Sequence, residues 1–323
     1  NNKPDLKPDL LDIKKAIKRF YSSLKFRLEN IDFMTSYASF NESYSLMSDD
    51  YSRNLFCELI AMQKLSEDRF RLSSFTQIDI MAYENAYAEL KNAKKIESMG
   101  FTVKKTKIPK TDLTIYCVPQ VLSLYNTNRL YSYKKNEVQI KAKPMDVVIA
   151  AGIGFGCTTM LTAAAVTSGG MVYGFDIQQE SFDMLEKQKK LNPSYKNIIG
   201  EFMALSDKDD EEVYLDNFGP GAYITKEKTE KSVKTITIDS YITLKKIKKV
   251  DFIKMDIEGS EIPALQGATD TIKLYKPRLA ISAYHKWDDL REIPRTIKEI
   301  RDDYKFYIDC TTGFGGETIL YCE

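Results

Sequence analysis

The chain has 323 residues, 43% hydrophobic and 29% charged, which suits about two domains with packed cores and excludes wholesale disorder. Its net charge of +1 excludes a protein built mainly to neutralise nucleic-acid phosphates. Five cysteines are scattered without a C-x-x-C pair and His285 is the single histidine, which excludes a histidine-rich zinc site and points to free thiols in a reducing, cytoplasmic compartment.

No apolar run reaches membrane-spanning length, and no signal-peptide pattern is present. Over residues 6–34, Leu10, Ile13, Ile17, Tyr21, Leu24, Leu28 and Ile31 recur at helical spacing with Lys and Arg between them. That spacing predicts an amphipathic helix, packed on its own domain or lying on a membrane surface. Ser48, followed by Asp49 and Asp50 and an apolar run through Leu55, Leu59 and Met62, predicts a capped second helix. A third is expected from Ile80 to Ser98, stopping at Gly100. Residues 1–112 therefore read as a mostly helical region, with a surface for a second copy or a protein partner. Four lysines (104, 105, 107 and 110) surround a short strand-like run and read as a solvated face or an anion site. Tyr116, Tyr125, Tyr131 and Tyr133 either wall a substrate pocket or pack in the core.

From Met145 the pattern alternates strand and helix, which implies a parallel sheet covered on both faces. Strands are expected at 145–150, 171–176, 197–203, 250–255 and 278–283, with helices at 158–168, 179–191, 261–274 and 289–301. A further hairpin strand is expected at 213–215 and another strand at 233–238. The last two strands, 304–309 and 317–322, are joined by the turn TGFGG (312–316), too short for a parallel crossover, so they must be antiparallel.

In an open parallel sheet, ligands bind outside the carboxyl ends of the strands. The first strand runs into a glycine-rich loop, AAGIGFGCT (150–158), where Gly152, Gly154 and Gly156 let the backbone turn tightly and approach a ligand. Asp176 ends the second strand, about 20 residues on, where a carboxylate can accept hydrogen bonds from both ribose hydroxyls of an adenosine cofactor. NAD and S-adenosylmethionine would both use it. The loop spacing is not the G-x-G-x-x-G dinucleotide fingerprint. The fourth strand ends in KMDIEGSE (254–261), where Asp256, Glu258 and Glu261 could hold a metal, act as a base, orient a hydroxyl, or cap loop amides. His285 ends the fifth strand, and an imidazole with a pKa near ~6.5 suits proton removal from a hydroxyl.

VDFIKMDIEGSEIPALQGA (250–268), GMVYGFD (170–176), ALSD (204–207) and Tyr284–His285 resemble the FkbM-type S-adenosylmethionine-dependent methyltransferases. The resemblance runs from about Leu113 to the C-terminus, so 113–323 reads as the methyltransferase domain. It implies an α/β fold with a Rossmann-like, seven-stranded class I sheet whose last strand is antiparallel. It also implies methyl transfer to a hydroxyl of a sugar, polysaccharide or secondary metabolite; no residue is assigned as a metal ligand. Carried over residue by residue, Gly152, Gly154, Gly156, Thr158, Asp176, Ile177, Ala204 and Leu205 would hold the cofactor. Asp256 would lie near the sulfonium, and Asp256, Glu258 and His285 would carry the chemistry. The family has an acid where this chain has Ala150, tends to Asp where it has Cys157, and to a histidine where it has Cys310. That acid helps to order the loop and the methionine end of the cofactor. Asp146 stands four residues before Ala150 on the same strand, roughly 13 Å away, too far to replace it. A catalytically weak methyltransferase-like binding partner is the alternative.

Overall fold

A computed structural model describes residues 40–65, 71–109, 111–216 and 219–323, so the helix expected over 6–34 lies outside the described residues. Three helices come first: α1 (Asn41–Leu46), α2 (Asp50–Leu65) and α3 (Gln77–Leu90). Helix α2 buries Leu55, Leu59 and Met62 as its spacing requires. Its cap is one residue later than expected. Asp49 Oδ1 accepts the Ser52 amide at 2.7 Å, while Ser48 Oγ accepts the amide of Phe306 at 2.9 Å.

Helix α3 does not run on to Ser98. It ends at Leu90, and β1 (Lys95–Ser98) pairs antiparallel with β2 (Phe101–Lys107). Met99 and Gly100, both left-handed at φ +50° and +76°, form the two-residue hairpin turn between them. Gly100 thus turns a hairpin and does not stop a helix. Strand β3 (Thr114–Cys117) pairs with β2, so this small sheet spans both sides of residue 112. Helix α4 (Pro119–Asn126) and the hairpin β4 (Tyr133–Lys135) and β5 (Val138–Ile140) lead into the main sheet.

That sheet alternates β6 (Val147–Ala151), α5 (Cys157–Val166), β7 (Met171–Asp176), α6 (Gln179–Leu191) and β8 (Ile198–Phe202). A side sheet follows, made of β9 (Ala204–Leu205), β10 (Glu212–Asp216), β11 (Tyr223–Thr225) and β12 (Ser232–Ile236). Of these, β9 and β11 had no expected counterpart, being two and three residues long. The strand expected to reach Ile238 stops at Ile236. Thr237 Oγ1 accepts the Ser240 amide at 3.0 Å and starts helix α7 (Ile238–Leu244) instead.

The chain then returns through β13 (Phe252–Met255), α8 (Glu261–Gln266), α9 (Thr269–Tyr275), β14 (Arg278–Ser282), α10 (Asp289–Ile300), β15 (Phe306–Cys310) and β16 (Thr318–Cys322). The single helix expected over 261–274 is broken at Gly267, where a Cβ would stand 2.0 Å from the Ser206 carbonyl oxygen. The seven strands lie in the order β15-β16-β14-β13-β6-β7-β8, and β16 runs antiparallel to both neighbours.

Residues alternate between two cores, one on each face of the sheet. Ile149, Ile253, Ile281 and Leu320 face one; Val148, Phe252, Ala280 and Tyr321 face the other. Burial on both faces is why these strands read as near-continuous apolar runs. Asp146 lies at the edge opposite the glycine loop, where its Oδ2 accepts from Arg278 Nη2 at 2.7 Å. Among the described residues, no helix is long and apolar enough to cross a membrane.

Candidate active site

A cavity of about 590 Å³ opens where β6, β7 and β13 end. That volume falls in the usual range for small-molecule sites. The loop after β6 forms its floor. Gly152 has φ +87°, and a Cβ there would stand 2.0 Å from the Asp256 carbonyl oxygen, so the position admits only glycine. Gly154, at φ +52°, has open space around its missing Cβ, room in which a ligand can approach the backbone. Gly156 serves another purpose. It precedes α5, and a Cβ there would meet Leu185 Cα at 3.0 Å, so its glycine lets α5 pack closely on α6. Gly156 does not line the cavity, whereas Cys157 and Thr158 do.

The Asp176 carboxylate sits beside this loop. One oxygen accepts the amides of Ile153 and Gly154 at 2.9 and 3.0 Å, and the other those of Ile177 and Gln178 at 2.8 and 3.0 Å. Burial pushes its pKa up, against the lowering pull of these amides. From the opposite side, Lys254 Nζ donates to the carbonyls of Ala151 and Gly152 at 3.0 and 2.9 Å. The loop is therefore held by its amides and by its carbonyls at once. Ile177, Met203, Ala204 and Leu205 form an apolar wall next to Asp176.

Asp256, at the end of β13, collects donors. Tyr131 Oη donates to its Oδ2 at 2.7 Å, while Ser282 Oγ and Tyr284 Oη donate to its Oδ1 at 2.9 and 3.2 Å. Burial opposes ionisation, but Lys254, His285, Tyr131 and Ser282 outweigh it and hold the carboxyl below the usual range. Glu258 also lines the cavity, on a left-handed backbone at φ +53° that Gly259 continues. Burial pushes its pKa up.

His285 stands behind these carboxylates and does not line the cavity. Its Nδ1 lies 2.9 Å from Glu261 Oε1, and its Nε2 3.4 Å from Asp256 Oδ1 and 3.6 Å from Glu258 Oε2. Burial alone would lower its pKa, but Glu261, Asp256 and Glu258 raise it to about 9. The expected neutral imidazole base is thus corrected: at neutral pH this side chain is a cation holding three carboxylates together.

Of the four tyrosines ahead of the loop, only Tyr131 lines the cavity; Tyr116 and Tyr133 are core residues. Sequence reasoning missed the outer wall, where Tyr83 and Tyr87 of α3 and Phe101 of β2 stand half exposed. It also missed Glu317, which enters the cavity just before β16. The usable signal was the antiparallel last strand, whose first residues must lie at the edge where the parallel strands end. Ala150 is buried in β6, level with Lys254 of β13, and is not exposed to the cavity. Cys310 lies in β15, its thiol donating to the carbonyls of Thr312 and Gly316, both at 3.4 Å. Among the described residues, no group of three or more His, Cys, Asp or Glu side chains is arranged to hold a metal ion.

Among solved structures, the chain is similar to the methyltransferase FkbM from Methylobacillus flagellatus KT, with a TM-score of 0.57 at 19% identity, over 90% of this chain and 60% of that one. It thus spans less than two thirds of that protein's length. Weaker likenesses include a putative rRNA-methylase from Clostridium thermocellum (TM-score 0.37, 15% identity, 56% of this chain and 87% of that one). Another is fibrillarin from Aeropyrum pernix with natively bound S-adenosyl-L-methionine (TM-score 0.39, 10% identity, 72% of this chain and 100% of that one). No curated protein matches the chain. Residues 149–306 match the methyltransferase FkbM domain.

Proposed function

We propose that the domain binds S-adenosylmethionine and methylates a hydroxyl oxygen of a sugar, polysaccharide or secondary metabolite. The observation that carries this reading is the meeting of the Asp176 carboxylate with the Ile153 and Gly154 amides on the cavity wall, beside an apolar slot. Asp176 would hold the ribose hydroxyls, exchanging amide donors for hydroxyl donors, since its four acceptor positions are otherwise filled. Ile177, Ala204 and Leu205 would flank the adenine, and Gly152, Gly154 and Thr158 the rest of the cofactor. When bound, the cofactor supplies an electrophilic methyl group on a positively charged sulfur. The ionised Asp256, oriented by Tyr131, Ser282 and Tyr284, favours that charge, and Glu258 adds to it. The remaining task is alignment of the acceptor oxygen, from which an in-line displacement gains much of its rate.

The aromatic wall of Tyr83, Tyr87 and Phe101 supports a glycan-type acceptor, because flat rings stack on the C–H faces of sugars. The five unpaired thiols support a reducing, cytoplasmic setting. A second reading, a methyltransferase-like binding partner with little activity, is favoured by one feature, Ala150 in place of an acid.

Calorimetry with S-adenosylhomocysteine tests the proposal. The wild type should bind, and Asp176→Ala should weaken binding by about 10- to 100-fold, the worth of hydrogen bonds to a charged group. No heat and no thermal shift with either form of the cofactor would sink the proposal.

A further inference from the structure

Four carboxylates line the cavity: Asp176, Asp256, Glu258 and Glu317. Three of them are engaged. Asp176 is filled by four backbone amides. Asp256 accepts from three hydroxyls and lies 3.4 Å from His285 and 3.9 Å from Lys254. Glu258 lies 3.6 Å from the cationic His285.

Glu317 differs. Its Oε1 accepts one hydrogen bond, from Gln120 Nε2 of α4 at 3.2 Å. Among the described residues, its Oε2 has neither a hydrogen-bond donor nor an ion-pair partner. The placement is deliberate in the backbone. Glu317 has φ +59°, uncommon for a side chain other than glycine, in the turn that feeds β16. Its neighbour Thr318 is already in the strand and buried, with its carbonyl accepting the Ala283 amide at 2.9 Å. Because β16 is antiparallel, its first residue arrives at the edge where β13 and β14 end, which brings a fourth carboxylate to the cavity.

We propose that Glu317 is the general base of this site, taking the acceptor's proton on its free carboxylate oxygen. The inference rests on the reading of the domain as an O-methyltransferase. In the step, the acceptor oxygen bonds to the methyl carbon, and the carbon–sulfur bond breaks with its electron pair left on sulfur. The hydroxyl proton passes to Glu317, which ends as a neutral acid. The charged and titratable groups that face it are Lys254 of β13 and Asp256 just after it, Tyr284 and His285 after β14, Tyr131 before β4, and Tyr321 of β16. Burial first, then the charge of Asp256, push its pKa up to about 7 against the pull of Lys254, His285 and Gln120. A base poised there is matched to neutral pH.

The test needs no acceptor. Titrate the protein at pH 7 with S-adenosylmethionine and, separately, S-adenosylhomocysteine, in buffers of different ionisation enthalpy, and read the protons released. A base within reach of the acceptor oxygen is also close to the sulfonium, whose charge drives off its proton. The expected result is release of about half a proton with S-adenosylmethionine, set by a half-ionised carboxyl, little with S-adenosylhomocysteine, and loss of the difference in Glu317→Gln. Heat with S-adenosylhomocysteine shows that the variant is folded. Should it not fold, carboxyl carbon NMR of the wild type should show a glutamate titrating near pH 7 that S-adenosylmethionine alone moves downward. An unchanged proton release in Glu317→Gln, loss of it in Glu258→Gln instead, or no such resonance overturns the inference and leaves the methyltransferase reading intact. No binding of either compound overturns both.

Discussion

Among the described residues, one cluster of buried charge gathers around Arg129 and another around Asp256, and of these two the second opens on the cavity. Arg129 uses all five of its N–H donors: on Asp309 at 3.1 and 2.8 Å, Asp79 at 2.7 Å, and the carbonyls of Ser74 and Cys310 at 3.1 and 2.6 Å. Tyr51 adds a hydroxyl to Asp309. These contacts bind α2, the start of α3 and β15 into one body, and every donor of the guanidinium is satisfied. The Asp256 cluster is built of the same materials but left incomplete. Glu317 keeps an open oxygen, while Glu258 faces the cavity and is paired with His285 at 3.6 Å. A completed network holds a fold together; one with free lone pairs facing a cavity can bind and move protons.

The comparison breaks most visibly at Arg129. Arg129→Met leaves Asp309 and Asp79 buried without their cation, and the loss should be about 3–5 kcal/mol. Urea unfolding monitored by circular dichroism should show it as a lowered midpoint. S-adenosylhomocysteine affinity of the folded fraction should be unchanged. A stability loss below about 1 kcal/mol, the scale of a surface ion pair, would mean that the cluster is not the tie described.

His285 sharpens the other side. Its pKa rises on folding from 6.5 to about 9, so its contribution to stability is fully present below pH 6.5 and is lost as pH rises through 9. The shift corresponds to roughly 3 kcal/mol at most. It is the only histidine, so no other imidazole titrates in that window. His285→Gln should be less stable than the wild type by up to that amount at pH 6, with the gap closing toward pH 9.5. Thermal melts across this range check it, and a gap that grows with pH would reverse the assignment of His285 as a cation.

The two clusters also differ in how far they could be read from the sequence. The sheet was legible because strands buried on both faces leave continuous apolar runs, as in Val147–Ala151 and Phe252–Met255. Asp176, Asp256 and Glu258 were legible because strand ends in a parallel sheet share one edge. The Arg129 cluster was not, because its partners come from residues 51, 79 and 309, which no local pattern connects. The hairpin at Met99–Gly100 was hidden in a stretch equally compatible with helix, and only its pairing with Phe101–Lys107 decides the matter. The position of His285 was legible, but its charge was not, since that depends on how closely Glu261 approaches.

The smallest expected effect concerns Ala150, where the sequence resemblance leads us to expect an acid. Its neighbours suggest what an acid would do there. Ala150 is level with Lys254 on the adjacent strand, and in-register residues of parallel strands share a face. A carboxylate there would meet the buried ammonium that holds the Ala151 and Gly152 carbonyls. In this chain Lys254 is drawn instead toward Asp256, 3.9 Å away, and Asp176 holds the amides of Ile153 and Gly154. The loop is ordered from both sides without the acid. Ala150→Asp should therefore change S-adenosylhomocysteine affinity by no more than about threefold, under 1 kcal/mol, as read by calorimetry. A gain of about tenfold or more would show that the native loop grips its cofactor poorly, and would turn the balance toward the binding-partner reading.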